Sequence, residues 1–175
     1  MVKDIVIYPD KRLKLISKKV EKFDDELHQL LDDMYDTMIA KGGVGLAAIQ
    51  IGVDRQVLII NIPKDNAQED AQQPKENTLE MINPKLITSD GTEKSQEGCL
   101  SVPEVYEDVV RAKHVVVEYQ DRDGNLHTID NDDFLAVAIQ HEMDHLNGKL
   151  FIEKLSIVKR KKFEKEWRKR GKKKK

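Results

Sequence analysis

One cysteine, five prolines, one tryptophan and an aromatic content of 5% in 175 residues set the first limits on this chain. A lone thiol forms no internal disulfide, so the fold must rest on its core, and a reducing compartment, the cytoplasm, is expected. No apolar run approaches the roughly 20 residues of a membrane-spanning helix, so no membrane partner is expected. Residues 1–8 lack the apolar core and small-residue cleavage site of a signal peptide. Neither an internal repeat nor a linker divides the chain, and the G-x-G-x-x-G spacing of a dinucleotide fold is absent.

Charge of one sign is lacking overall, since 30 Lys and Arg face 32 Asp and Glu. The distribution is uneven. Twelve of the basic residues fall in 159–175 against Glu164 and Glu166, a local +10 that leaves −12 on the rest. An acidic body with a basic tail speaks of partners rather than of fold.

What is present begins with His141-Glu142-Met143-Asp144-His145. Two imidazoles four apart on one helical face can share a metal ion, and the glutamate after the first can act on an activated water. Phe134, Val137 and Ala138 continue the same face toward the chain's beginning, as expected of a helix flooring an apolar pocket. Asn131 or Asp132 is its expected cap. A second helix is expected from Asp24 or Asp25, with Leu27, Leu30, Leu31, Met34 and Met38 as its buried stripe and Gly42-Gly43 ending it. Residues 2–7, 55–62 and 79–87 read as strands, and 64–78 as an exposed loop. Val109-Val110 and residues 115–119 read as a strand pair, the latter returning through the turn at Asp123-Gly124 to Leu126. His28 reads as an exposed helix residue, and His114 and His127 as ordinary strand or turn residues. The order of elements is α+β: short, mainly antiparallel strands around a central metal-binding helix, with a basic C-terminal helix from about Ser156.

A catalytic metal needs a third protein ligand and an open position. The pattern H-E-x-x-H-x-x-G-x-x-H holds through Gly148 and then meets Phe151, which closes that branch. A downstream glutamate, Glu153 or Glu164, is a weak candidate in a charged setting. Cys99 remains, the one thiol, in the Gly-flanked run Glu97-Gly98-Cys99-Leu100-Ser101. Structurally, a lone cysteine is as often a small buried hydrophobe.

That run, together with Gly43-Val44-Gly45-Leu46-Ala47-Ala48-Ile49-Gln50 and the histidine motif, resembles the three ordered motifs of the bacterial peptide deformylases, over residues 1–158 with 159–175 as an added basic tail. The resemblance implies removal of the formyl group from nascent polypeptides that begin with formyl-methionine, releasing formate. It implies Cys99, His141 and His145 as metal ligands and Glu142 as general base and acid. Gln50, through its amide, and Leu100, through its backbone N–H, are implied as donors to the developing oxyanion. Gly43, Gly45 and Gly98 then let the backbone approach a peptide, while Val44, Phe134, Val137 and Ala138 are expected to line the methionine pocket. The implied metal is ferrous iron, with zinc, nickel or cobalt as substitutes.

On composition the tail reads equally well as a solvated, partly disordered lysine-rich end; the resemblance implies contact with the ribosome near the peptide exit, with Phe163 and Trp167 as an apolar handle. No DNA partner is expected, and truncation after Ser156 is expected to spare activity on short peptides. Two other readings stay open on the residues alone: another metal hydrolase using the same water and glutamate, and a non-catalytic ribosome- or RNA-binding module with a decayed site.

Overall fold

The computed structural model describes residues 1–64 and 73–173. The chain runs through α1 (Asp25–Ala40), β1 (Gly45–Ala47), β2 (Val57–Ile60), β3 (Leu79–Asp90), β4 (Glu93–Cys99), β5 (Val102–Arg111), β6 (His114–Gln120), β7 (Leu126–Asn131), α2 (Phe134–Leu146) and α3 (Ile157–Lys173). Five strands form one antiparallel sheet in the order β1-β2-β3-β6-β7, and β4 pairs with β5 in a separate hairpin. The architecture is α+β, as expected.

The all-apolar run of β2 explains the layering. Leu58 and Ile60 face Ala136 and Ile139 of α2, while Val57 and Ile59 face Leu27, Leu31, Met34 and Met38 of α1. A strand covered on both faces has no polar side to show, so its sequence does not alternate. The α1 stripe is fully buried at those four positions, each contributing about 1.5–3 kcal/mol of apolar burial. Asp24 caps α1, its side chain accepting from the Leu27 N–H at 3.1 Å.

Several sequence expectations are corrected. Residues 2–7 form no ladder strand. They run extended across the molecule, tied by Val6 N–H to Gln50 O (2.7 Å), with Tyr8 N–H reaching Ser101 O (2.9 Å). Val109-Val110 and residues 115–119 are strands but not partners: Val109 sits opposite Ser95, whereas β6 lies between β3 and β7. Asp133 occupies the N-cap position of α2 without a capping side-chain bond. Asn131 Oδ1 serves the helix start from two residues earlier, accepting from Asp133 and Ala136 N–H at 2.8 and 3.0 Å. His28 is half-buried, its Nε2 2.8 Å from Arg122 O. Residues 65–72 of the expected loop lie outside the described residues, and Lys75–Asn77 forms a 3-10 turn.

A third cluster joins the ends of the chain. Val6, Leu13, Val102, Val109, Leu150 and Phe151 pack with Phe163 of α3. Tyr8 packs with its ring tilted at 5.6 Å from Phe163 and edge-on at 5.8 Å from Trp167. The pair expected as an exposed handle is instead spent on the body, and Phe163 is only 4% exposed.

Candidate metal centre

Side chains link helix α2 to the β4–β5 hairpin: His141 to Glu97, Asp144 to Arg111 and His145 to Cys99. His141 and His145, one turn apart, set their rings 5.2 Å between centroids. Cys99 ends β4, where its strand partner is Val102. A sulfur and two imidazole nitrogens, from residues 42 and 46 positions apart, lie within 4.8 Å of one another. Cys99 Sγ is 3.4 Å from His145 Nε2. Glu153 and Glu164 do not join this group, which is the triad found among the described residues.

The donor set fits a resident cation. A thiol and two imidazoles suit a borderline-soft divalent ion, and three protein ligands leave a position open. Full burial, with the neighbouring His141 and Arg111, holds His145 well below its ordinary pKa, in the neutral state a ligand needs. Burial alone would lower His141 too, but its hydrogen bonds to Cys99 and Glu97 outweigh it and hold the group well above the usual value. The same anionic surroundings that retain a proton there would retain a metal ion. Glu142 Oε2 and His145 Nδ1 are buried with no hydrogen-bond partner beside this spot.

Behind the ligands stands a network that sequence reasoning did not single out. Glu97 Oε1 accepts from His141 Nδ1 at 2.8 Å and from Arg111 Nη2 at 2.8 Å, and Glu97 Oε2 accepts from Arg111 Nε at 2.6 Å. Arg111 Nη1 donates to Asp144 Oδ2 at 2.8 Å, returning to α2. Burial would raise the Glu97 carboxyl, but the guanidinium and His141 hold it below its ordinary value. The carboxylate fixes His141 through Nδ1 and so turns Nε2 toward the ligand cluster. A signal was available: in β5, Val109 and Arg111 share the buried face by the two-residue alternation, and an arginine there demands partners.

Glu142 lies at the bottom of a cleft of about 430 Å³. Burial pushes its carboxyl up to about 7, with His141 and Arg111 opposing. Gly45 passes close beside it, and a Cβ there would stand 2.7 Å from Glu142 Oε1 and push that carboxyl aside. Gln50 is 1% exposed. Its Oε1 accepts from Ala47 N–H (2.9 Å), which fixes the amide so that Nε2 donates toward Cys99 Sγ (3.4 Å) and Ser101 Oγ (3.1 Å). Leu100 sits at the hairpin tip and lines the cleft.

Gly43, Val44, Gly45, Gly98, Val137 and Ala138 all line the cleft. Phe134 is half exposed at the mouth. All thirteen residues singled out from the sequence therefore border this cleft or the cluster beneath it.

A family model described as polypeptide deformylase matches residues 2–161. A peptide deformylase of Nautilia profundicola is 54% identical over 168 residues, covering 96% of this chain and 94% of that protein. Among solved structures, a peptide deformylase from Legionella pneumophila superposes with a TM-score of 0.87 at 41% identity, covering 100% and 99% of the two chains. A class I type b peptide deformylase from Acinetobacter baumannii with Met-Ala-Ser bound gives 0.80 at 34% identity, covering 89% and 99%.

Proposed function

The chain belongs to the polypeptide deformylase family and, as a metalloenzyme, removes the N-formyl group from nascent peptides; on that premise we propose which residues carry the reaction. The observation that carries this reading is the convergence of Cys99, His141 and His145 beside the buried Glu142.

Cys99 Sγ and one nitrogen each of His141 and His145 would hold the metal, with ferrous iron the ion favoured in the cell and zinc, nickel or cobalt as substitutes. A divalent ion bound there would supply Lewis-acid chemistry, lowering the proton affinity of a water and polarising the formyl carbonyl. Glu142 takes a proton from the attacking water as its oxygen adds to the formyl carbon. It passes that proton to the amine as the carbon–nitrogen bond breaks, leaving formate and a free α-amino group. Gln50 Nε2 and the Leu100 N–H stabilise the oxyanion, for which Gln50 must release one of its present contacts.

Val44, Phe134, Val137 and Ala138 receive the methionine side chain. β1 is an edge strand with the cleft beside it, so an extended peptide can lie along Gly43, Gly45 and, across the site, Gly98. The bound Met-Ala-Ser of the Acinetobacter relative supports a peptide in this place.

Formate release from formyl-Met-Ala tests the assignment. Glu142→Ala should lower kcat by about 10²–10⁴-fold with the metal retained. Activity within tenfold of the parent would overturn it.

We assign residues 1–158 to the catalytic unit and the basic 159–175 to contact with the ribosome near the peptide exit, in the cytoplasm. Among the described residues no helix is long and apolar enough to cross a membrane. Lys161, Lys165, Arg168 and Lys169 line the outer side of α3 while Phe163 packs inward, which supports an electrostatic contact. Truncation after Ser156 would also remove a core residue, Phe163. Charge reversal at Lys161, Lys165 and Arg168 is the cleaner experiment: ribosome co-sedimentation should fall while formyl-Met-Ala turnover holds, and equal co-sedimentation would remove the idea.

A further inference from the structure

Helix α3 reaches the substrate cleft. Past Trp167, over whose ring its guanidinium lies at 5.5 Å, Arg170 donates to two consecutive backbone carbonyls, Pro103 O at 2.9 Å and Glu104 O at 3.3 Å. At the other end of the helix Lys159 pairs with Glu107 at 3.8 Å, so α3 lies along β5 and is pinned at both ends. The first five residues of β5, Val102 through Tyr106, line the cleft.

Glu104 needs to be held. Its φ of +61° lies in the left-handed region, where a side chain with a Cβ is strained, and such a residue persists only where its surroundings over-determine it. The Glu104 side chain is 85% exposed and gives little anchorage. The paired donation from Arg170 fixes both carbonyls flanking the strained residue. Tyr106, just beyond, covers Gly98 so closely that a Cβ on the glycine would stand 2.6 Å from its ring.

We infer that Arg170 is a positioning residue for the part of the substrate beyond its second residue: it holds the Pro103–Tyr106 lip in the shape that a peptide's third and following residues meet. The inference rests on reading the cleft as the peptide site. Cys99 and Val102 are paired at the metal end. At about 3.3 Å per residue, Glu104 to Tyr106 stand roughly 7–13 Å farther along β5. An extended peptide held at its first residue places its third to fifth residues over that distance.

The test compares formyl-Met-Ala with formyl-Met-Ala-Ser-Ala on the metal-loaded, full-length enzyme. Arg170→Met should raise KM for the longer peptide about fivefold with kcat within twofold, the sign of lost uniform binding, while KM for the dipeptide moves less than twofold. Arg170→Lys, which offers a single compact donor group, should fall between. Adding Glu104→Asn to Arg170→Met should recover part of the loss, because asparagine tolerates the left-handed region. A purely structural role for Arg170 would not be rescued that way.

Equal KM changes for the two peptides, no change for either, or a fall in kcat for both would overturn the inference. Val137→Phe, which narrows the cleft, separates the two levels. If it leaves KM for both peptides unmoved, the cleft is not the peptide site. If it raises both while Arg170→Met does nothing, only the role of Arg170 falls.

Discussion

Two arginines in this molecule do nearly the same thing in opposite surroundings. Arg111 grips Glu97 through two nitrogens and reaches Asp144, with its side chain 2% exposed. Arg122 grips Glu80 through two nitrogens, at 2.8 and 2.6 Å, and reaches Asp32 at 3.2 Å, with its side chain 31% exposed. Lys75 adds a second cation to Asp32 at 2.9 Å. Identical chemistry in two dielectrics has two different uses. The surface group ties the β6–β7 turn to α1 and β3, and water competes with every bond in it. The buried group gains little net stability for its desolvation cost, yet leaving either member alone is expensive. Its yield is orientation, because Glu97 is shared between Arg111 and His141.

Breaking the buried arginine should have the largest effect. Arg111→Leu strands Glu97 and half-strands Asp144, and urea unfolding should register a loss of about 3–5 kcal/mol. A loss below 1 kcal/mol would make the two arginines equivalent and erase the contrast. Glu97→Gln is milder. Its carbonyl still accepts from His141, but the negative charge is gone, and competition with a chelator should show metal affinity reduced about 10–100-fold.

Arg122→Leu should cost less, about 1 kcal/mol, and leave metal content unchanged, since Glu80 and Asp32 keep partial contact with water and Asp32 keeps Lys75. A weaker case of the surface kind is His114, whose pKa is raised by hydrogen bonds to Asp90 and then Asp130. The sign is that of a group stabilised in its charged form. Its contribution is full below the unfolded value of about 6.5 and fades as pH climbs through the higher folded value. A proton NMR titration of His114 should give a midpoint above 6.5, and His114→Ala should remove that small pH dependence of stability.

The contrast also marks what could be read before any coordinates. The periodic stripes of α1 and α2 were legible because a helix that buries one face writes it every three or four residues. The boundary near Ser156 was legible because composition changes abruptly there. Strand pairing was not: Val109 and Val115 are near in sequence and alike in composition, and nothing local says that a hairpin leaves the main sheet between them. Residues 2–7 have the apolar content of a strand but no ladder partner, and partnership is a property of the whole fold. At the candidate metal centre Cys99, His141 and His145 drew attention by residue type and spacing, while Glu97 and Arg111 did not, since a charged pair looks the same in sequence whether water or protein surrounds it. Arg170 was hidden for a related reason. It is one of twelve basic residues in the tail, and only its reach to Pro103 and Glu104 separates it from the others.

The shortness of β1 has a last consequence. A bare sheet border normally invites any neighbouring sheet to join it, which is how folded proteins clump. Here the border strand is only three residues long, Gly45–Ala47, and its first residue lines the cleft. So few main-chain groups give a foreign sheet little to zip onto, which is one of the ways native proteins blunt an edge. What they can still satisfy is one brief stretch of backbone, so the same economy that guards against clumping suits a short visitor.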